Sequence, residues 1–158
     1  KIKVLEYNCR MGDPETQNLM LTLENKNIDL LDMLLNDPAT NIQDLNITDL
    51  DQENNGYCCT IVLAANGYPG AYEKNFYIDT SNIKENLKIK IFHAGTMLDG
   101  NRVCAIGGRI LTINVFAEDK EKAVNIAYAN IKKIRIFEDK DMSIENNNLV
   151  FFRKDIGN

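Results

Sequence analysis

The sequence has no excess of positive charge and no long apolar segment. Its formal net charge is −5, whereas a domain that binds nucleic acid usually presents a basic stripe or patch. The longest apolar run, at residues 61–65, is far too short to span a membrane, and no signal-peptide pattern is present. We therefore expect neither nucleic acid nor membrane as a partner, although a small anionic ligand needs only a few local cations.

Residues that build zinc sites and disulfide frameworks are also scarce. The four cysteines, Cys9, Cys58, Cys59 and Cys104, form no CxxC pair, and His93 is the only histidine. No cysteine therefore has a histidine partner at zinc-binding spacing. Cys58 and Cys59 lie side by side in an apolar run, so buried thiols in a reducing, cytoplasmic compartment are the expected state.

The chemistry that the sequence does contain is concentrated in its opening stretch, residues 4–17. A strand here would place Glu6 and Asn8 on one face, about 6–7 Å apart. A carboxylate and an amide oxygen suit Mg2+, which usually takes one or two protein oxygens and completes its shell with waters and phosphates. Arg10 follows on the same face if the strand continues. The alternative is a polar edge strand that binds no ligand.

A turn into a helix is expected directly after this strand. Gly12 permits a sharp turn, Asp13 can cap a helix, and Pro14 suits the first helical position. The positive end of such a helix would attract phosphate or carboxylate groups. An ordinary turn that leads into a helix explains the same residues, so spacing alone leaves both interpretations open.

Several segments resemble the C-terminal region of one enzyme family. VLEYN at residues 4–8 and RMGDPETQ at residues 10–17 resemble the metal-binding strand and the signature of phosphoribosylamine–glycine ligases (glycinamide ribonucleotide synthetases), in the ATP-grasp superfamily. Met11 departs from the Phe or Leu expected there. Four further segments match in the family's order: LAANGYPG at residues 63–70, IFHAGT at 91–96, GGR at 107–109 and FRKDIG at 152–157. These separated matches span nearly the whole chain and identify it as a member of this family.

The resemblance implies an ATP-dependent ligase that joins glycine to 5-phosphoribosylamine in purine biosynthesis. ATP would convert the carboxylate of glycine into glycyl phosphate. The amine would then displace phosphate, and the products would be glycinamide ribonucleotide, ADP and phosphate. The resemblance implies Mg2+ or Mn2+ at Glu6 and Asn8, with Arg10 as the catalytic residue that stabilises the transferred phosphate.

The resemblance also implies substrate contacts from both halves of the chain, namely Asp13, Pro14, Glu15, His93, Gly95, Thr96, Gly108 and Arg109. Asp13 would meet the ammonium group of glycine or the hydroxyls of the ribose. His93 would lie in a loop that closes on the site, although a lone histidine at a strand end is usually structural. Gly108 would let the backbone approach a phosphate beside the cation Arg109, and the alternative is a simple bend between strands.

Hydrophobic periodicity predicts an α+β fold. Helices are expected at residues 14–24 and 28–35, before a polar junction over residues 39–56. Strands are predicted at residues 57–65, 76–78, 88–93, 102–106, 109–117 and 149–152. The clearest helix covers residues 119–134. Strands that flank one long helix through hairpin-like links are typical of an antiparallel α+β domain.

The resemblance divides the chain into two parts. Residues 1–42 would be the last strand and helices of an ATP-grasp domain, and residues 43–158 a small antiparallel-sheet C-terminal domain with one long helix. Because Lys1 is not an initiator methionine and a metal-binding strand needs neighbours, we expect the C-terminal part of a longer enzyme. Its partners would be the N-terminal domains of that enzyme, with glycine, phosphoribosylamine and ATP as substrates. The chain alone should be inactive.

Two alternative functions remain at this stage. Another ATP-grasp carboxylate–amine ligase, or a relative such as a biotin-dependent carboxylase subunit, would share the Glu-x-Asn-x-Arg spacing but should lack GDPETQ and the later segments. A non-catalytic remnant would keep the fold and lose the chemistry. The presence of Glu6, Asn8 and Arg10 argues against such a remnant.

Overall fold

The computed structural model describes residues 3–4, 9–29 and 56–157. Within these ranges the chain forms two α-helices and two four-stranded antiparallel sheets. The predicted antiparallel α+β class is therefore confirmed. Glu6, Asn8, most of the second predicted helix and nearly all of the polar junction lie outside the described residues.

The first sheet has the strand order β3-β6-β1-β8. Its central strands are β1 (Tyr57–Ala65) and β6 (Arg109–Ala117), and its edges are β3 (Ile89–His93) and β8 (Val150–Phe151). The two central strands have the predicted bounds, because each is a nine-residue run rich in apolar and β-branched side chains. Ile61 pairs with Ile113, and neither side chain is exposed.

The second sheet has the order β4-β5-β2-β7. It contains β2 (Phe76–Asp79), β4 (Thr96–Asp99), β5 (Arg102–Ala105) and β7 (Arg135–Phe137). The expected turn at residues 99–101 joins β4 to β5 as a hairpin, in which Asp99 pairs with Arg102. Strands β4 and β7 are missing from the predicted strands, because only pairing with β5 and with β2 makes these short segments strands.

The two helices lie against opposite faces of the first sheet. Helix α1 (Glu15–Asn25) contacts the face that carries Thr60 and Asn114, whereas α2 (Lys120–Ile131) packs with Ile61 and Ile113 in the main hydrophobic core. Alternate residues of a strand point to opposite faces, so the sheet separates the helices. The N–H of Lys122 donates to the carboxylate of Asp119, which caps α2 at the predicted start. The helix ends at Ile131, earlier than predicted, because the chain turns there to form β7.

Candidate functional site

The RMGDPETQ segment forms a tight turn that leads into α1. The N–H and the hydroxyl of Thr16 both donate to the carbonyl of Gly12, at 2.9 and 2.7 Å, and the carboxylate of Glu15 accepts from the N–H of Gly12 at 2.8 Å. The prediction that Asp13 caps a helix beginning at Pro14 is wrong. Helix α1 begins at Glu15, and Pro14 occupies the cap position without a side-chain hydrogen bond.

The carboxylate of Asp13 fails to cap the helix because two other side chains hold it. The amide nitrogen of Gln17 donates to Oδ1 of Asp13 at 2.8 Å, which the four-residue helical spacing allows. On the other side, Nη2 of Arg109 lies 3.4 Å from Oδ2 of Asp13, and Nη1 of Arg109 donates to the Asp13 carbonyl at 2.6 Å. Two residues 96 positions apart, both predicted to contact substrate, are thus in direct contact.

Arg109 stands where three segments meet at one end of the first sheet. Here β1 and β3 end and β6 begins, and the N–H of Gly95 donates to the carbonyl of Arg109 at 2.8 Å. A Cβ atom at Gly95 would lie 2.6 Å from the Cα of Gly107, so these backbones cross too closely for a side chain. Nδ1 of His93 lies 3.0 Å from the hydroxyl of Thr96. The later predicted residues therefore form one loop cluster beside the Asp13 turn.

Gly108 has a packing role that its predicted function did not include. A Cβ atom there would lie 1.9 Å from the ring of Tyr68, which belongs to the GYPG turn after β1. The ring of Tyr68 also makes an edge-to-face contact with Tyr72, with the ring centroids 5.7 Å apart. The absence of a side chain at Gly108 therefore lets the GYPG turn pack against the segment that carries Arg109.

Arg10 precedes this turn and is exposed. Its guanidinium donates to the adjacent carbonyl of Met11 at 2.8 Å, and no carboxylate among the described residues pairs with it. Its charge is therefore open to an anion. Within the described ranges, no group of three or more His, Cys, Asp or Glu side chains is arranged to hold a metal. The predicted metal ligands Glu6 and Asn8 lie outside those ranges.

A polar relay that the sequence analysis did not identify fixes α1 to the sheet. The amide of Asn18 donates to the hydroxyl of Thr60 at 3.1 Å, and that hydroxyl donates to the amide oxygen of Asn114 at 2.8 Å. The amide nitrogen of Asn114 donates in turn to the hydroxyl of Thr112 at 2.8 Å. Asn114 is fully buried. The sequence signal for this relay is the recurrence of polar residues on one face of two otherwise apolar strands.

A cleft of about 790 Å³ runs along the first residues of β1 and is lined on its two sides by α1 and by the start of α2. Pro14 and Glu15 are the predicted site residues among those that line it. Cys58 also lines the cleft, and burial raises the pKa of its thiol to about 11. The thiol of Cys58 is therefore protonated at neutral pH, and a protonated thiol is a poor nucleophile. Cys58 and Cys59 form no disulfide, as expected, but Cys59 is buried whereas Cys58 is only half-buried.

Comparison with known proteins finds relatives of this chain. The family model described as "Phosphoribosylglycinamide synthetase, C domain" matches residues 58–158. The chain is 35% identical to the phosphoribosylamine–glycine ligase of Fusobacterium nucleatum over 99% of its own length and 33% of the relative's. It is 40% identical to a bifunctional purine biosynthetic protein of Pichia angusta, over 87% of this chain and 16% of that protein.

A solved structure shows the same similarity. The crystal structure of the phosphoribosylamine–glycine ligase of Thermotoga maritima matches with a TM-score of 0.61 and 29% identity, over 92% of this chain and 32% of that one. The chain thus spans about a third of the length of these single-activity relatives. In the described residues, neither helix is long and apolar enough to cross a membrane. Since the family model covers well over half of the sequence, the chain belongs to the phosphoribosylglycinamide synthetase C-domain family.

Proposed function

We propose that this chain is the C-terminal part of an ATP-dependent ligase that joins glycine to 5-phosphoribosylamine in purine biosynthesis. The contact between Asp13 and Arg109 carries the proposal, because it unites the two halves of the sequence in which the family's segments occur. The names of the relatives supply the reaction. Residues 1–42 would complete an ATP-grasp domain, and residues 43–158 would form the C-terminal domain that closes on it.

The reaction would proceed by two displacements. A carboxylate oxygen of glycine would attack the γ-phosphorus of ATP, so that ADP leaves and glycyl phosphate forms. The amine nitrogen of phosphoribosylamine would then attack the carbonyl carbon, lose a proton and expel phosphate. Positioning and charge stabilisation dominate such phosphoryl transfers, so no nucleophilic side chain is required.

The described side chains suit the charges of these substrates. Arg10 would stabilise the transferred phosphoryl group, since its guanidinium has no carboxylate partner among the described residues. Asp13 would accept hydrogen bonds from the ammonium group of glycine or from ribose hydroxyls. Arg109 has five N–H donors, of which its contacts with Asp13 use only some, so it would bind a substrate phosphate while it holds that turn.

Pro14 and Glu15 would shape the substrate site beside Asp13, at the end of the cleft that they line. From the opposite side, the loop with His93, Gly95 and Thr96 would approach the substrate. Its close packing on the Gly107 backbone supports a defined loop position. The remaining domains of the same enzyme would supply the nucleotide pocket, and the enzyme would act in the cytoplasm.

Glu6 and Asn8 would hold Mg2+ or Mn2+, and their oxygen atoms are chemically suitable ligands. When bound, the metal would neutralise negative charge on the phosphates of ATP. Glu6→Gln keeps the side-chain shape and removes one negative charge, so the enzyme should require more magnesium and lose activity while its melting temperature stays unchanged. A magnesium titration of ligase activity measures this. An unaltered kcat and magnesium requirement would show that Glu6 is not a ligand.

The decisive experiment measures ADP release by the full-length protein that carries this chain. The proposal predicts ADP release that requires both glycine and phosphoribosylamine, and a product with the mass of glycinamide ribonucleotide. Release that depends on another carboxylate or amine would identify a different ligase. A folded protein without any ATP turnover would indicate a non-catalytic relative.

A further inference from the structure

Only one end of the side-chain amide of Gln17 makes a hydrogen bond. Its nitrogen donates to Oδ1 of Asp13 at 2.8 Å, but its oxygen is shielded from solvent and accepts no hydrogen bond from the described residues. Rotating the amide would not remove the problem. It would place two acceptor oxygens against each other at the position of the present hydrogen bond, so the observed orientation is the favourable one.

The orphaned oxygen makes Gln17 a poor choice for stability alone. A buried acceptor without a donor loses its hydration and gains no hydrogen bond within the protein to replace it. An apolar side chain of similar length, such as methionine, would fill the space without that penalty. Elsewhere in the described part of the chain, no other side-chain nitrogen or oxygen is both shielded and unpartnered.

The contact of Gln17 with Asp13 offers a functional reason for the unsatisfied oxygen. With Gln17 on Oδ1 and Arg109 near Oδ2, the carboxylate of Asp13 is held at both oxygens by groups from different parts of the chain. The Asp13 and Arg109 side chains are still 40% and 43% exposed, so a ligand can reach them. A carboxylate held in this way loses less rotamer freedom when it binds a substrate.

We propose that Gln17 is a positioning residue, which orients the Asp13 carboxylate for substrate and retains an orphaned buried oxygen in order to do so. This role rests on the proposed function, because it acts through the substrate contact assigned to Asp13. It makes two predictions of opposite sign for one substitution: substrate binding weakens, whereas stability does not fall.

The test uses Gln17→Met, Asp13→Asn and the double variant in the full-length ligase. Gln17→Met should raise the KM of the same substrate whose KM rises in Asp13→Asn, roughly three- to thirtyfold, with kcat changed less than twofold. The melting temperature of Gln17→Met should equal or exceed that of the wild type. In the double variant KM should match that of Asp13→Asn alone, because the charged group that Gln17 orients for substrate is then gone.

Asn25→Ala provides the matched control at the other end of the same helix. The amide of Asn25 donates to the carbonyls of Leu21 and Leu87 at 2.9 and 2.8 Å and does not line the cleft, so its loss should leave every KM unchanged. If Asp13→Asn raises KM but Gln17→Met does not, the positioning role is wrong and the proposed function stands. Additive effects in the double variant, or a lower melting temperature for Gln17→Met, would also overturn that role. An unchanged KM in Asp13→Asn would instead remove the substrate contact itself, and the role of Gln17 with it.

Discussion

The relay that joins α1 to the first sheet offers the sharpest test of how the site is held in place. Asn114→Leu keeps a similar side-chain volume and removes both the donor and the acceptor of the amide. Four hydrogen bonds of 2.8–3.4 Å, to Thr60, Thr112 and the carbonyl of Lys90, would be lost. The hydroxyl of Thr112, which is only 2% exposed, would lose its donor in a place that water cannot reach.

The expected loss of stability follows from these contacts. A buried polar group left without a partner costs about 1–3 kcal/mol, and the half-buried hydroxyl of Thr60 recovers part of its loss through water. We therefore expect Asn114→Leu to lower the free energy of unfolding by about 2–4 kcal/mol. For a chain of this size the melting temperature should fall by roughly 5–15 °C.

Urea denaturation followed by circular dichroism measures the effect, with Asn101→Leu as the matched control. Asn101 is exposed in the β4–β5 turn and makes no side-chain hydrogen bond within the described ranges, so its change should stay within about 0.5 kcal/mol. Replacing both partners, in Thr60→Val with Asn114→Leu, should cost less than the sum of the single changes. Equal effects of Asn114→Leu and Asn101→Leu, or a fully additive double variant, would refute a coupled relay.

Three further predictions follow from the site. Arg109→Ala should raise the KM for phosphoribosylamine about ten- to a hundredfold in steady-state assays of the full-length enzyme, and that for ATP much less, because a charge-assisted contact is lost; equal small changes would make Arg109 purely structural. Gly108→Ala should lower the melting temperature, because its Cβ would overlap the ring of Tyr68, and a Tyr68→Ala background should relieve that clash. Burial raises the pKa of Cys58 to about 11, so its contribution to stability should be complete below pH 9 and be lost as the pH rises to about 11. Urea denaturation between pH 9 and pH 11 should show that the free energy of unfolding falls less with rising pH in Cys58→Ala than in the wild type. An identical pH dependence of the two proteins would contradict the raised pKa of Cys58.

Much of the first sheet and of α2 could be predicted from local sequence. Strands β1 and β6 have their expected bounds because nine-residue runs of apolar and β-branched side chains leave few other ways to bury that surface. The carboxylate of Asp119 defines the start of α2 in the same local way. Family membership was also evident from short segments and their order, and the comparisons confirm it.

The arrangement of the candidate site depended on tertiary structure. Asp13 is a residue type that often caps helices and stands at the right position to do so, but it pairs with Gln17 and with Arg109, which lies 96 residues away. Strand β7 likewise exists only through its pairing with β2. Local patterns set what each short segment prefers, whereas contacts between distant segments arise when the sheets and helices pack. The sequence by itself therefore determined the strands of the first sheet, the long helix and the family. Only the packed chain decided that β7 is a strand, which side chains hold Asp13 and which polar groups fix α1 to the sheet.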